Sequence, residues 1–295
     1  MNNMFLSIEA QSVAKCWAIA LQRVFFEGDL IKSDYDTGDD FPTRDCTSAI
    51  HITDPLSEPL EIRGKLLKIN NETIYCHPGD VYCIEAIKGG YLSEVMAGDR
   101  DSKIWDDSES YPYTYHDRIF NYKSVNVEDQ PYVKNIDDAM VKSMADLPGI
   151  NQVETLIKKL QESPYTRRAQ AITWRPLSDL ERDDPPCLQR LWFRVFDGKL
   201  HMDTHWRSRD LFGAWEANIN GMFQIARQVA EGVNAEFTDY VDMCDSLHVY
   251  GRRKLVFKEV VPLLERIRNK EGLNKPEYDA MLDSWLEKLE QEVTE

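Results

Sequence analysis

Cys187 stands in Asp183-Asp184-Pro185-Pro186-Cys187-Leu188-Gln189, and Arg207-Ser208-x-Asp210 follows it downstream. The pairing sets a lone thiol near a guanidinium, a hydroxyl and a carboxylate. No second cysteine stands close in sequence, as a CxxC pair would require. A thiol beside a cation is a candidate nucleophile, because the cation favours its thiolate. The arginine is a candidate phosphate clamp, and Arg167-Arg168 offers a second cationic pair upstream. Taken alone, a cysteine between a Pro-Pro turn and a strand is more often a small buried hydrophobe.

The elements around these residues read as α and β together. Residues 7–27 carry apolar positions at helical spacing, with Gly28 as the stop. Residues 31–63 are turn-rich and polar, with an extended segment over Ala49–Ile52. Asp80 caps a helix that reaches Ala97, with Gly98 beyond it. Residues 99–118 form an aromatic-rich loop, and a helix over about 136–162 ends at Ser163-Pro164. Arg168–Trp174 is a strand. Leu188–Phe196 and Lys199–Trp206 flank Asp197-Gly198, the strongest local hairpin signal in the chain. Ala217–Gly232 returns to a helical period, and two charged amphipathic helices fill the last forty or so residues.

The 295 residues, 42% of them apolar and 29% charged, suit a soluble globular chain. A single domain over 1–295 is expected, with a motif-bearing core at about 99–250 and a helical extension at about 251–295. No apolar run approaches the roughly eighteen residues of a membrane span, and the N-terminus has no signal-peptide pattern. The six cysteines include no CxxC pair, so a reducing, cytoplasmic setting is expected. If the source is viral, that cytoplasm is the host's. A net charge of −16 argues against nucleic-acid binding. It leaves room for a small anion at a local arginine cluster.

Pro185-Pro186-Cys187, Arg207-Ser208-x-Asp210, Asn218 and His248-Val249-Tyr250, with Arg167-Arg168 upstream, together resemble the thymidylate synthase family. The resemblance is strong from about Pro164 to Tyr250, patchy over Trp105–Arg118 and faint at both ends. It implies an α+β, thymidylate-synthase-like sandwich: a mixed sheet packed on helices, with one sheet face forming a homodimer interface. It also implies one-carbon transfer from 5,10-methylene-tetrahydrofolate, as co-substrate, to C5 of a pyrimidine deoxynucleoside monophosphate. No metal is implied.

Residue by residue, the resemblance makes Cys187 the nucleophile at C6. It gives phosphate to Arg207 and Ser208, and to Arg167 and Arg168 reaching across a homodimer. Arg44 matches a mobile N-terminal arginine that covers the phosphate. Asn218 matches the reader of the pyrimidine edge, where an amide suits uracil and so favours dUMP over dCMP. The bland role for Asn218 is a helix N-cap. His248 and Tyr250 match the pair that holds the sugar 3′-hydroxyl, and on a strand they share one face. Asp210 matches the aspartate at the pterin and pyrimidine site. Trp105 resembles the tryptophan of the folate pocket, and Tyr115 the tyrosine near the cysteine; both could be core aromatics. The family also uses a glutamate on an early helix. At about 100° per residue Glu85 falls on the apolar face of the 80–97 helix and Glu94 opposite it, so Glu85 is the choice.

Three departures bear on the product. Leu188 follows the cysteine where most members have histidine. The C-terminal residues do not match the short apolar tail with which the family closes over folate, so that lid is expected to be missing or supplied by another segment. Leu211-Phe212-Gly213-Ala214-Trp215-Glu216-Ala217-Asn218 is closer to the viral nucleotide hydroxymethylases. Methylation of dUMP is the leading expectation, and 5-hydroxymethylation of dUMP, or less readily dCMP, is the alternative. A catalytically silent nucleotide-binding relative is a further reading. A thiol hydrolase ranks last, since nothing selects His205 or His116 as a base for Cys187.

Overall fold

A computed structural model describes residues 4–33, 42–57, 66–69, 72–75, 90–103 and 113–251 of the chain. The expected N-terminal part of the 80–97 helix, Glu85, Trp105, and the terminal helices with the altered tail lie outside the described residues. The chain forms two compact units. One comprises Met1–Tyr91, Ser208–Asn220 and Asp239–Glu295, the other Leu92–Arg207 and Gly221–Thr238.

In the first unit, β1 (Phe5–Ala10) runs parallel to β3 (Thr43–Ile52), which pairs antiparallel with β10 (Glu236–Val249). Short β2 (Asp29–Ile31) lies antiparallel on β3, and β9 (Arg209–Asp210) lies parallel on β10. The sheet is therefore mixed. Helix α1 (Val13–Glu27) packs on β1 and β3, burying Val13, Trp17, Leu21 and Val24. Trp17 Nε1 donates to Leu211 O at 3.0 Å, so the largest apolar side chain of the helix is also polar-satisfied. A separate hairpin joins β4 (Leu66–Ile69) and β5 (Glu72–Tyr75).

The segment expected to be one helix over 7–27 divides in two. Phe5–Ala10 alternates, with Leu6, Ile8 and Ala10 buried, which is the period of a strand with one face covered. Ser12 then caps α1 by accepting from Lys15 N at 3.2 Å. The polar 31–63 region likewise holds β3, whose start at Thr43 precedes the expected extended segment.

In the second unit, β6 (Gln170–Ile172), β7 (Leu188–Phe196) and β8 (Lys199–Trp206) form an antiparallel meander. Asp197 (φ 49°) and Gly198 (φ 73°) turn the β7–β8 hairpin, both left-handed as a tight two-residue turn needs. Helix α2 (Gly90–Ala97) ends at Gly98, whose φ of 70° lets the chain leave the helix. Helix α3 (Tyr115–Phe120) begins inside the stretch expected to be loop.

The expected 136–162 helix is two helices, α4 (Asp138–Ala145) and α5 (Gln152–Glu162). Pro148-Gly149 separates them, and a Cβ at Gly149 would lie 1.8 Å from Asn121 Oδ1. The approach of Asn121, its backbone O included at 2.9 Å, favours glycine here, and Pro148 keeps the chain from continuing as one helix. Asn151 then caps α5, which buries Val153, Leu156 and Leu160 along one stripe; each buried leucine contributes about 2 kcal/mol. Helix α6 (Trp215–Val233) and β10 carry residues of both units.

Candidate active site

Cys187 and Arg207 lie directly outside the two ends of the β7–β8 hairpin, and Arg207 N donates to Cys187 O at 2.9 Å. Their sequence spacing is thus the length of a folded hairpin, including an irregularity in β7 between Leu188 and Arg190. Gln189 Nε2 ties that irregularity back to Pro186 O at 2.7 Å. Arg207 uses Nε and Nη2 on the carbonyls of Pro186 (3.1 Å) and Pro185 (2.5 Å). The Pro-Pro turn supplies carbonyl acceptors here, and it also lacks N–H donors of its own. Among the described residues the carboxylate partner of Arg207 is Asp184, 3.8 Å from Nη2 and largely exposed.

Among the described residues, Cys16, Cys46 and Cys244 are buried and Cys187 is half-exposed. Burial pushes the thiols of Cys16 and Cys46 up to about 12, and that of Cys244 well above its ordinary value. Such thiols are inert at neutral pH. Two tyrosines back the Cys187 segment. Tyr113 OH accepts from Cys187 N at 3.4 Å and Tyr115 OH from Leu188 N at 3.3 Å. Tyr115 packs edge-on against Trp206. Burial raises the Tyr113 phenol above its ordinary value, and negative charge at Cys187 raises it further, against hydrogen bonds from Tyr115 and Cys187 N. Tyr113 thus touches the Cys187 segment directly, beside the Tyr115 that the sequence singles out. Its signal was there in the Tyr111-x-Tyr113-x-Tyr115 alternation.

Arg167 and Arg168 are exposed, in the segment leading to β6. Trp192 Nε1 donates to Arg167 O at 3.1 Å, and Arg168 N to Thr166 Oγ1 at 3.2 Å. Both guanidinium groups lack a carboxylate partner among the described residues. Glu94, set aside for facing away from the apolar stripe, is buried and paired with Arg100 at 3.4 Å. His116 is held by Asp101 at 2.6 Å and stacks on Phe120.

The remaining candidates belong to the first unit. Ser208 is half-buried. Asp210 lies beside His248 in the β9–β10 register, and its Oδ1 accepts from Phe212 N (3.1 Å) and Gly213 N (2.8 Å). This turn feeds α6, so Asp210 is structural on one oxygen rather than a solvent-facing charge. Asn218 is buried in the first turn of α6, its N–H donating to Ala214 O at 2.9 Å. The helix has already begun at Trp215, so Asn218 is not its N-cap. His248 is buried, with its ring 4.4 Å from that of Tyr250 at 67°. Arg44 is not on a free arm. It lies in β3 between Leu30 and Val249, with Nη1 3.4 Å from Gly28 O, and burial lowers its guanidinium from the ordinary value.

Among the described residues no group of three or more His, Cys, Asp or Glu could hold a metal, and no helix is long and apolar enough to cross a membrane.

Comparison with known proteins carries the assignment further. A protein of Methanosarcina acetivorans named "Putative thymidylate synthase" is 41% identical over 160 residues, covering 54% of this chain and 59% of that protein. The chain therefore spans a little over half of that relative's length. One of the same name from Methanocaldococcus jannaschii is 24% identical over 253 residues, covering 84% and 92%. The solved thermostable thymidylate synthase A of Bacillus subtilis superposes with a TM-score of 0.51 at 17% identity, covering 90% of this chain and 86% of that one. At that identity the likeness concerns the fold, and it agrees with the mixed sheet and packed helices above. The family profile described as thymidylate synthase matches residues 91–289, more than half of the sequence, and the chain belongs to the thymidylate synthase family.

Proposed function

We propose that the protein transfers one carbon from 5,10-methylene-tetrahydrofolate to C5 of dUMP, giving dTMP. The observation that carries this reading is Cys187. Among the described cysteines it is the half-exposed thiol and the others are buried, and it is held beside an arginine bound to carbonyl oxygens rather than to a close carboxylate. A cation so held keeps its charge for a thiolate and for an incoming phosphate.

In this mechanism the Cys187 thiolate adds to C6 of the pyrimidine, which makes C5 a carbon nucleophile. C5 then takes the carbon and gives up its proton, and Cys187 leaves as C6 is released. Arg207 and Ser208 hold the phosphate, and Arg167 and Arg168 reach the partner's phosphate in a homodimer. Asn218 reads the uracil edge, and His248 with Tyr250 holds the sugar hydroxyl. Tyr113 and Tyr115 fix the backbone of Cys187 and Leu188 by accepting their N–H groups. The folate supplies the carbon and, for a methyl product, the hydride. Of the residues expected to meet it, Asp210 is described, and a half-buried carboxylate is a suitable acceptor for pterin N–H groups. A reducing cytoplasm would keep Cys187 as a thiol.

Leu188 gives the hydroxymethyl product a specific footing, because this fully buried leucine follows the nucleophile where most members carry histidine. Mass spectrometry of the product from dUMP and methylene-tetrahydrofolate, with dCMP in parallel, separates the outcomes. A gain of about 14 Da means methylation and about 30 Da hydroxymethylation. Cys187→Ala should abolish both product and release of tritium from [5-³H]dUMP. Tritium release by that variant would sink the mechanism.

A further inference from the structure

Strand β10 breaks register against β3 between Cys244 and Leu247. Thr47 Oγ1 donates to Asp245 O at 3.0 Å within this irregularity. Such breaks re-aim side chains, often next to functional sites. Here the re-aimed side chain is Ser246, whose hydroxyl donates to Asp45 Oδ2. Asp45 is also the direct cross-strand partner of His248. Asp45, Ser246 and His248 thus form a chain of three polar residues inside one unit.

The hydrogen-bond chemistry fixes where each proton sits. His248 Nδ1 lies 3.1 Å from the Ser246 carbonyl oxygen and 3.4 Å from Ser246 Oγ. A carbonyl can accept and never donate, so Nδ1 must carry a hydrogen to satisfy it. Ser246 Oγ could in principle donate instead and favour the opposite tautomer. Its single proton is already given to Asp45, so toward the imidazole it too can act as acceptor. In the neutral ring Nε2 is then a bare lone pair. That atom is covered and has no hydrogen-bond partner among the described residues, although the residue is 5% exposed. A buried ring nitrogen without a partner is a cost that ordinary cores avoid.

We propose that Asp45 is a positioning residue. By accepting the Ser246 hydroxyl hydrogen bond it fixes His248 as the Nδ1–H tautomer, and it reserves Nε2 as an acceptor for a ligand hydroxyl. The ligand part rests on the nucleotide reading above, in which that hydroxyl is the sugar's. The tautomer part concerns the free protein alone. Burial raises the Asp45 carboxyl, with Asp29 adding to this; the Ser246 hydrogen bond and nearby His248 oppose it. The serine contact is thus what supports the charge of a desolvated carboxylate.

The test combines two variants and two readouts. In Asp45→Asn the carboxamide can donate to Ser246 Oγ, which frees the serine proton to point at Nδ1. Long-range ¹⁵N–¹H correlation of His248 at about pH 8.5, a pH at which an ordinary imidazole is neutral, should show Nδ1–H in the wild type. It should show a substantial Nε2–H population in Asp45→Asn. Asp45→Asn/Ser246→Ala removes the freed donor and should return the ring to Nδ1–H, a rescue that a merely structural role does not predict. Affinity for dUMP should fall about fivefold in Asp45→Asn. Affinity for 2′,3′-dideoxyuridine monophosphate, which lacks the hydroxyl, should stay unchanged. An Nε2–H ring in the wild type, an unshifted ring in Asp45→Asn, or equal losses for both nucleotides would overturn the proposal. Failure of the wild type to bind dUMP would overturn the nucleotide reading and leave the tautomer result standing.

Discussion

Arg207 and the trio Arg118, Arg175 and Arg182 belong to the same unit and use their charges in opposite ways. Arg118 binds both oxygens of Asp179 at 2.8 and 2.9 Å. Arg175 meets Asp117 at 2.8 Å and Asp129 at 3.6 Å, and Arg182 binds Asp129 and reaches Asp179 at 3.6 Å. All six side chains are at most 9% exposed. Three cations meet three anions, and each guanidinium also lies over a tyrosine ring: Tyr113, Tyr122 and Tyr132. Arg207 instead rests on two neutral carbonyls, a third exposed. A neutralised buried arginine organises the protein around itself. One held by uncharged acceptors keeps its field for something that arrives.

The largest expected effect breaks the balanced side. Asp179→Ala strips Arg118 of its bidentate partner, and it removes an ion-pair neighbour of Arg182 and the acceptor for Arg175 N. Leaving the buried Arg118 without its carboxylate should cost about 3–5 kcal/mol, read as a lowered urea midpoint. An unfolding free energy within about 0.5 kcal/mol of the wild type would show that the network is not structural.

The next sharpens the other side. Arg207→Ala should weaken dUMP binding by roughly 10- to 100-fold, the worth of charged hydrogen bonds to phosphate, while unfolding free energy changes far less than for Asp179→Ala. Added salt should weaken nucleotide binding in the wild type, because Arg207, Arg167 and Arg168 are solvent-accessible. Salt should barely move the stability supplied by the buried trio. Salt-insensitive nucleotide binding would remove the distinction between the two arginine settings.

The smallest effect is expected where charges are paired but exposed. His51 lies between Asp239 and Glu9, 3.1 Å from the latter, at the sheet surface of the first unit. Its partial burial works against protonation, but hydrogen bonds to Asp239 and Glu9 win and raise it above the ordinary 6.5. A raised histidine binds its proton more tightly folded than unfolded. Its contribution is therefore full below about 6.5 and is lost as pH climbs through the folded value. Solvent screening holds it to a few tenths of a kcal/mol. Urea titrations at about pH 6 and pH 8.5 should show the slope in the wild type and its loss in His51→Gln.

What could be read from the sequence depended on how local its cause was. The β7–β8 hairpin was legible because Asp197-Gly198 and the alternating flanks lie together. Cys187 and Arg207 followed from motif spacing, and the hairpin explains that spacing physically. The strand Phe5–Ala10 was folded into a helix because its alternation runs straight into the helical period after Ser12. Tyr113 was passed over because a tyrosine's partner is set by backbone approach from Cys187, distant in sequence. The Asp45–Ser246 contact was out of reach altogether. It depends on strand register and on one break in that register, and neither is encoded near the residues it joins.

The hairpin that brings Cys187 to Arg207 also sets where the chain can tolerate change in length. An inserted residue within β7 or β8 would slide one strand past the other and turn every later side chain to the wrong face. The tip is different. A side chain built on Gly198 meets nothing within 4 Å, and the pairing from Leu188–Trp206 to Phe196–Lys199 lies between it and the open end. A tag placed at this tip would lie at the far end of the pairing from the thiol, and the contact it would have to respect is the hydrogen bond from Glu236 N to Gly198 O at 2.8 Å.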